Sequence, residues 1–423
     1  MADLKGRRSD LWEAAVRLSF PRPSGLEGER RAAEQIETQL REAGMETMRQ
    51  SFPVTTYCDA ESLLETPLAP AGFLPSTPVG LAGTIDDGTP RRVVFIGAGD
   101  PALLETLSPG DLALLDVDFW SLARVYRDLA ARKVGGLICI NRPGRPLPHT
   151  SFLPPELEAP GPLPACWVSL EDAHLLLAED ALASLRIRQR IRAASSQNIL
   201  GHIRGAGVSE EQVLVTAHYD TVPGSPGAED NASGCAVALQ LALNLLQDSP
   251  PRRSVAFAFL GSEELGLRGA HHLVGQLERA CEIDNIRAII NIDCVGAAIG
   301  QRLVRYACSD RGITAVWEAS RAANEDWDIQ AGMMGSDDAP FTARGIPVIS
   351  IARYGRTDVR HTPEDRLKWL SPRALQKDHE FTGRILAHLV GAPDLASLAP
   401  VPEALHAEAQ YYCQHGGRKR RDV

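Results

Sequence analysis

Positive charge, aromatic rings and long apolar runs are all scarce in this chain of 423 residues, and each shortage excludes something. With 44 Lys and Arg against 54 Asp and Glu the formal charge is −10, which argues against general nucleic-acid binding, a task that needs a basic footprint. Aromatics are 5% of the residues, so aliphatic side chains must carry the core. No apolar run approaches the ~20 residues of a membrane-spanning helix, so no membrane partner is expected. The opening stretch MADLKGRRSDLWEAAVRLSF has no apolar h-region and no small-residue cleavage site, so it does not read as a signal peptide. Cysteines stand at 58, 139, 166, 235, 281, 294, 308 and 413, scattered and without a C-x-x-C pair. In a long chain of this kind they read as reduced core thiols rather than a disulfide frame, and the expected compartment is the cytoplasm. H-E-x-x-H, G-x-S-x-G and P-loop signatures are missing as well.

What is present is the composition of a soluble globular protein, 44% hydrophobic and 23% charged, and the length implies two or three domains. Residues 8–19 and 27–44 have helical periodicity; in the second, Ala32, Ile36, Leu40 and Ala43 share a face. From about 60 to 90 the texture turns to Pro, Gly, Thr and Ser, as at a domain entry. Short β-like runs follow between 92 and 192: VVFIGAG, DLALLDVD, GGLICIN and ACWVSL. The segment LRIRQRIR alternates, with Leu185, Ile187 and Ile191 on one face and four arginines on the other. The arginine row reads as a solvated strand face rather than an anion site. After Ser195 the pattern becomes β/α, with candidate strands NILGHIRG, QVLVTAHYD, SVAFAFLG, AIINIDCVG, RLVRYACS and PVISIARYG. Helical stretches at 233–247 and 267–280 separate them, and a last helix fits 372–391. Such alternation implies an α/β fold, a sheet covered by helices on both faces. The basic tail GGRKRRDV reads as a disordered terminus.

One motif is set aside. Gly97-x-Gly99-x-x-Ala102 follows a strand, with Asp116 and Asp118 further on, and so mimics a dinucleotide fingerprint. The segment after it, PALLETLSPG, is broken by Pro109-Gly110 before it can form the crossover helix of a βαβ unit.

Chemistry-bearing residues gather instead where strands end. QVLVTAHYD ends in His218 and Asp220, which point the same way because they lie two apart on a strand. SVAFAFLGSEELG ends in Glu263 and Glu264, AIINIDCVG in Asp293, and PVISIARYG leads into a loop carrying His361. Asp230 sits in a Gly-rich loop before a helix. A catalytic zinc takes His nitrogen and carboxylate oxygen and keeps an open position, and two zinc ions about 3.5–4 Å apart can share a carboxylate. Two His and three carboxylates supply such a pair, with Asp230 as the bridge. One acid of the Glu263-Glu264 dipeptide is then left as general base, and Asp220 would hold the imidazole of His218 in its binding tautomer.

HYDTVPGSPGAEDNASG, GSEELGLRGA, NIDCVG, SDDAPFTARGIPVI and HTPEDR, in that order, resemble the successive motifs of the co-catalytic zinc peptidase family, strongly over 195–370 and more loosely over 8–57. That family includes aminopeptidase Y, the bacterial secreted aminopeptidases, carboxypeptidase Q and glutamate carboxypeptidase II. The resemblance implies a mixed, mostly parallel sheet flanked by helices, built from residues 1–57 and 193–423. It implies that His218, Asp230 and Asp293 hold one zinc, that Asp230, Glu264 and His361 hold the other, and that Glu263 is the general base. It further implies a cis peptide at Asp230–Asn231. Residues 58–192 resemble the protease-associated domain inserted in several members, a smaller β-rich α/β domain that lies over the cleft in those relatives.

There are departures from the family pattern. Asp338 stands where many relatives have His, which should alter the pocket rather than the metal. Arg360 stands where some relatives have an oxyanion-supporting Tyr; Tyr354 is a nearby substitute, and Arg360 suits a substrate carboxylate. The resemblance implies an exopeptidase on peptide or small aminoacyl substrates, foremost an aminopeptidase. A carboxypeptidase, dipeptidase or aminoacyl cyclotransferase on the same metals is the alternative, and a non-catalytic binding module ranks last because every ligand position is filled. Cobalt or manganese also suits N/O sites of this kind. Oligomeric state, homo-oligomer included, stays open.

Overall fold

Strand alternation sets up the principal sheet. In QVLVTAH, Val213, Val215 and Ala217 point to one side of the backbone and Leu214 to the other, and all four are buried. Both faces of the strand are therefore apolar and both need a cover. The computed structural model, which describes residues 7–116, 125–126, 128–151, 162–310, 313–323, 326–355 and 359–415, shows how they are covered. One core cluster joins Val213, Val215 and Ala217 to Phe257, Phe259, Ile290, Ile292 and Ile351, beneath helices α1 (Arg7–Leu18), α2 (Glu27–Glu42), α5 (Gly234–Gln247) and α9 (Pro372–Gly391). A second joins Leu214 to Leu260, Ile289 and Val348, beneath α6 (Arg268–Arg279), α8 (Asp338–Thr342) and α10 (Glu403–His415).

The chain divides into two compact units, Met1–Val54 with Ala194–Cys413, and Thr55–Ala193 with Gln414–Val423. The borders near 54 and 193 fall inside two long strands, β1 (Glu46–Glu65) and β8 (Leu182–Ile203). In the first unit β9 (Val208–His218), β10 (Arg253–Leu260), β11 (Ile286–Ile292) and β14 (Val348–Gly355) are mutually parallel in the order β14-β11-β9-β10. Antiparallel β8 flanks β10; antiparallel β12 (Gly300–Ala307) flanks β14 and carries β13 (Asp328–Ala331) parallel to itself. The fold is α/β, as expected, with a mixed and mostly parallel sheet. Because the four central strands are parallel, their carboxyl ends share one edge: His218 is opposite Leu260, and Ile292 opposite Ile351.

The second unit is smaller and β-rich. Parallel strands β4 (Arg91–Phe95), β5 (Leu112–Leu115), β6 (Gly136–Ile140) and β7 (Ala165–Val168) are bordered by antiparallel β8 and β3 (Thr77–Pro78). Three of the four arginines of LRIRQRIR meet acids there: Arg186 with Glu65 at 3.3 Å, Arg188 with Asp86 at 2.7 Å and Arg190 with Asp59 at 2.6 Å. Leu185 and Ile187 are buried as expected, but Ile191 is 42% exposed, so the apolar stripe ends before it. Between β4 and β5 only the four residues of α3 (Pro101–Leu104) are helical, capped by Asp100, which is too little for a nucleotide-binding crossover. Asp118 and the tail GGRKRRDV lie outside the described residues. The sequence pattern places the last helix at 372–391; a further one, α10, follows it and packs on the second face.

Candidate metal centre

The edge formed by β9, β10, β11 and β14 receives the polar residues on which their apolar runs end. His218 closes β9 and is buried. Its Nε2 lies 3.1 Å from Asp230 Oδ1 and 3.5 Å from Asp293 Oδ1. His361 Nε2 lies 3.3 Å from the other Asp230 oxygen, Oδ2, and 3.3 Å from Glu264 Oε2. The two oxygens of Asp230 thus face two different imidazoles, each backed by a further carboxylate. In each trio the ligand-type atoms lie within 4.8 Å of one another: His218, Asp230 and Asp293 in one, Asp230, Glu264 and His361 in the other.

Asp230 is brought there by a wide turn over Ala228–Ser233, with a cis peptide between Asp230 and Asn231. Gly227 enters it at φ +57, where a Cβ would lie 2.3 Å from Thr221 Cγ2 and 2.4 Å from the Asp230 carbonyl oxygen, so only glycine fits. Asn231 ties the turn to the end of β11: its amide donates to the Ile292 carbonyl at 2.9 Å and its oxygen accepts from the Cys294 N–H at 3.2 Å. Asp365, buried in the connection between β14 and α9, accepts the N–H groups of Glu229 at 2.8 Å and Asp230 at 3.0 Å. Arg22, also buried, donates to the carbonyls of Tyr219, Pro226 and Gly227 and so clamps the loop that leads to the turn.

The Glu263-Glu264 pair leaves β10 through Ser262, which has φ +53. Asp220 accepts the N–H of Glu263 at 2.9 Å and of Glu264 at 3.2 Å, and the Ser24 hydroxyl at 2.6 Å. Its distance to Nδ1 of His218 is longer, 3.5 Å. Its hydrogen bonds thus come from the Ser24 hydroxyl and from the backbone of the acidic pair, and the second of these is a role that strand spacing did not reveal.

Electrostatically the cluster is crowded with acid. Burial works against Asp230, but hydrogen bonds from His218 and His361 outweigh it and hold its carboxyl well below the usual range. Asp293 is lowered by His218 in the same way, against the same burial. Burial pushes Glu264 up to about 8, and pushes Glu263 well above the carboxylate range with repulsion from Glu264, Asp337 and Asp293 added. Burial lowers an imidazole, yet Glu264 and Asp230 carry His361 up to about 9, and Glu263, Asp220, Asp230 and Asp293 carry His218 well above its normal value.

Asp337 sharpens the imbalance. It is fully buried, and neither carboxyl oxygen has a hydrogen-bond partner among the described residues. A carboxylate in that state needs a proton or a neighbouring cation. Asp220, Asp230, Glu263, Glu264, Asp293 and Asp337 together exceed what two imidazolium charges can balance. A set of His nitrogens and carboxylate oxygens with surplus negative charge fits a divalent metal of the zinc type.

The departures from the family pattern are placed as follows. Asp338 is buried and accepts the N–H groups of Met334 at 2.6 Å and Ser336 at 2.9 Å, with the Ser350 hydroxyl at 3.2 Å; it braces the 334–336 loop. The Arg360 guanidinium lies 4.2 Å from the Tyr354 ring centroid, over its face, and 4.0 Å from Cys294 Sγ.

Residues 198–384 match the model of peptidase family M28. Aminopeptidase YwaD of Bacillus subtilis is 29% identical over 374 residues, 84% of this chain and 78% of that protein. Among solved structures, an aminopeptidase from Aneurinibacillus sp. strain AM-1 superposes with a TM-score of 0.76 at 21% identity, covering 93% of this chain and 96% of that one. The zinc aminopeptidase BSAP of Bacillus subtilis does so with a TM-score of 0.74 at 23% identity, covering 94% and 98%. Similarity to peptidase family M28 thus runs over residues 198–384, the segment that carries His218, Asp230, Glu263, Glu264, Asp293 and His361.

Proposed function

We propose that this chain is a zinc-dependent exopeptidase that removes residues from the amino end of peptides. The observation that carries the reading is the division of Asp230 between two imidazoles, His218 through Oδ1 and His361 through Oδ2. In this reading His218, Asp230 and Asp293 hold one zinc ion, and Asp230, Glu264 and His361 the second. Bound zinc supplies Lewis-acid polarisation of the scissile carbonyl and lowers the pKa of water toward neutrality. Glu263 takes the proton from the attacking water and passes it to the leaving amine. Asp220 keeps Glu263 in place through its backbone N–H. The similarity to aminopeptidase YwaD along 84% of the chain supports the amino-terminal preference.

Residues 58–192 are read as an inserted domain of the protease-associated kind. All eight cysteines are unpaired, which suits a reducing compartment, and we assign the cytoplasm. Among the described residues no helix is long and apolar enough to cross a membrane.

A carboxypeptidase is the second reading, favoured by the Arg360 guanidinium beside the site. One screen separates the two: free and N-acetylated peptides, with zinc and with chelator. The aminopeptidase cleaves only the free amino ends and stops in chelator. Cleavage of N-acetylated peptides at the carboxyl end would move the assignment to carboxypeptidase.

A further inference from the structure

Glu29 lies in the first turn of α2, 233 residues before Ser262, and it is buried. Four donors converge on its carboxylate. Oε1 accepts from the Ser262 N–H at 3.0 Å, the Ser262 hydroxyl at 3.1 Å and the Ser196 hydroxyl at 2.7 Å; Oε2 accepts from the Gly25 N–H at 2.7 Å. Gly261 leaves just enough room for this approach, since a Cβ there would lie 2.9 Å from Glu29 Oε1 and 2.5 Å from Ser196 Oγ.

The consequence falls on the turn that follows. Ser262, Glu263 and Glu264 present three successive N–H groups, and two buried carboxylates receive all three, Glu29 the first and Asp220 the next two. These three bonds together hold a non-glycine residue in the left-handed region at φ +53. The loop before α2 links the two acids, with Gly25 bonded to Glu29 and Ser24 to Asp220.

We propose that Glu29 is a positioning residue for the acidic turn: by accepting the Ser262 N–H it sets where Glu263 and Glu264 project, so that zinc affinity and turnover both depend on it. The proposal rests on the roles assigned above to Glu263 and Glu264.

The test is calorimetric titration of the metal-stripped full-length protein with zinc, together with kcat and KM on the zinc-saturated protein. Glu29→Ala should weaken zinc binding roughly 10–100-fold, the range seen when outer partners of metal ligands are removed, and lower kcat in proportion with KM unchanged. Glu29→Gln keeps an acceptor for the Ser262 N–H and should recover most of both. Glu29→Asp keeps the carboxyl group but withdraws the acceptor by one methylene, and should resemble Glu29→Ala; this variant decides the matter if Glu29→Ala does not fold. Glu37→Gln is the control on the same helix, equally buried and paired with Arg41 at 2.7 Å and Arg49 at 2.5 Å; it should lose thermal stability without changing the titration. Glu29→Ala and Glu29→Asp proteins that bind zinc and turn over like wild type, with only a lowered Tm, would overturn the proposal, as would a Glu29→Gln protein no better than Glu29→Ala. A wild-type protein that binds zinc but cleaves no peptide would sink the peptidase reading alone, because the titration still decides for Glu29.

Discussion

Asp220 Oδ1 accepts the backbone N–H of Glu263 at 2.9 Å, joining the end of one strand to the turn after its neighbour. The other oxygen takes Glu264 N–H and the Ser24 hydroxyl, so both are committed as acceptors. Asparagine can keep only one of them, and its amide group would face a donor. Asp220→Asn should therefore fold with a loss of about 1–3 kcal/mol, the cost of an unsatisfied buried group, and lose roughly 10–100-fold in kcat. A thermal melt and steady-state kinetics on zinc-saturated protein check both halves.

Glu263→Gln separates the base from the ligands. Its backbone N–H still reaches Asp220, so the turn should survive and zinc content should match wild type. General-base catalysis is worth about 10²–10⁴-fold, so kcat should fall by that factor, about 3–5 kcal/mol of barrier. Metal analysis and turnover on the same preparation read both quantities; near-wild-type turnover would remove Glu263 from its role.

How far the sequence disclosed this site depended on where the informative residues sit. His218, Asp293 and the Glu263-Glu264 pair follow apolar strands closely, and parallel strands bring their ends to one edge whatever the loops do. Asp365 stands four residues after His361, but its bonds are to Glu229 and Asp230, 136 and 135 residues away, and no periodicity marks such a partner. Glu29 looks like any acid in a helical first turn until α2 is packed against Ser262. The long strand β1 carries no clean alternation, because none of its first six residues is buried and the burial after them is irregular. Helix α10 buries little beyond Ala409 and Tyr412, too narrow a stripe to stand out in the sequence.

Two substitutions should give different zinc counts. Asp293→Ala removes one carboxylate from one trio and leaves Glu264 and His361 with Asp230, so the protein should retain about one zinc per chain after dialysis. Asp230→Ala takes an oxygen from both trios and leaves each imidazole a single carboxylate, so zinc should fall toward zero. Elemental analysis beside wild type, expected to hold about two, distinguishes a shared carboxylate from two independent sites.

Stability of the metal-free protein should fall as pH rises. Glu264 and Glu29 are pushed up to about 8, Glu229 to about 7 and His361 to about 9 in the folded chain. Unfolded, these groups titrate near about 4.3 for Glu and about 6.5 for His. A group raised on folding contributes stability that is complete below its unfolded value and is lost as pH climbs through its folded one. The melting temperature in chelator should accordingly be highest near pH 5 and decline toward pH 9. Asp230 and Asp293 are shifted the other way, so their contribution is complete above the carboxylate range and disappears only in acid. Zinc needs deprotonated carboxylates and neutral imidazoles, so its binding should release protons, and the gap in Tm between loaded and stripped protein should widen with pH. Scanning calorimetry from pH 5 to 9 with zinc and with chelator tests this. A stripped protein that gains stability across that range would show that the raised carboxyls and His361 do not govern it.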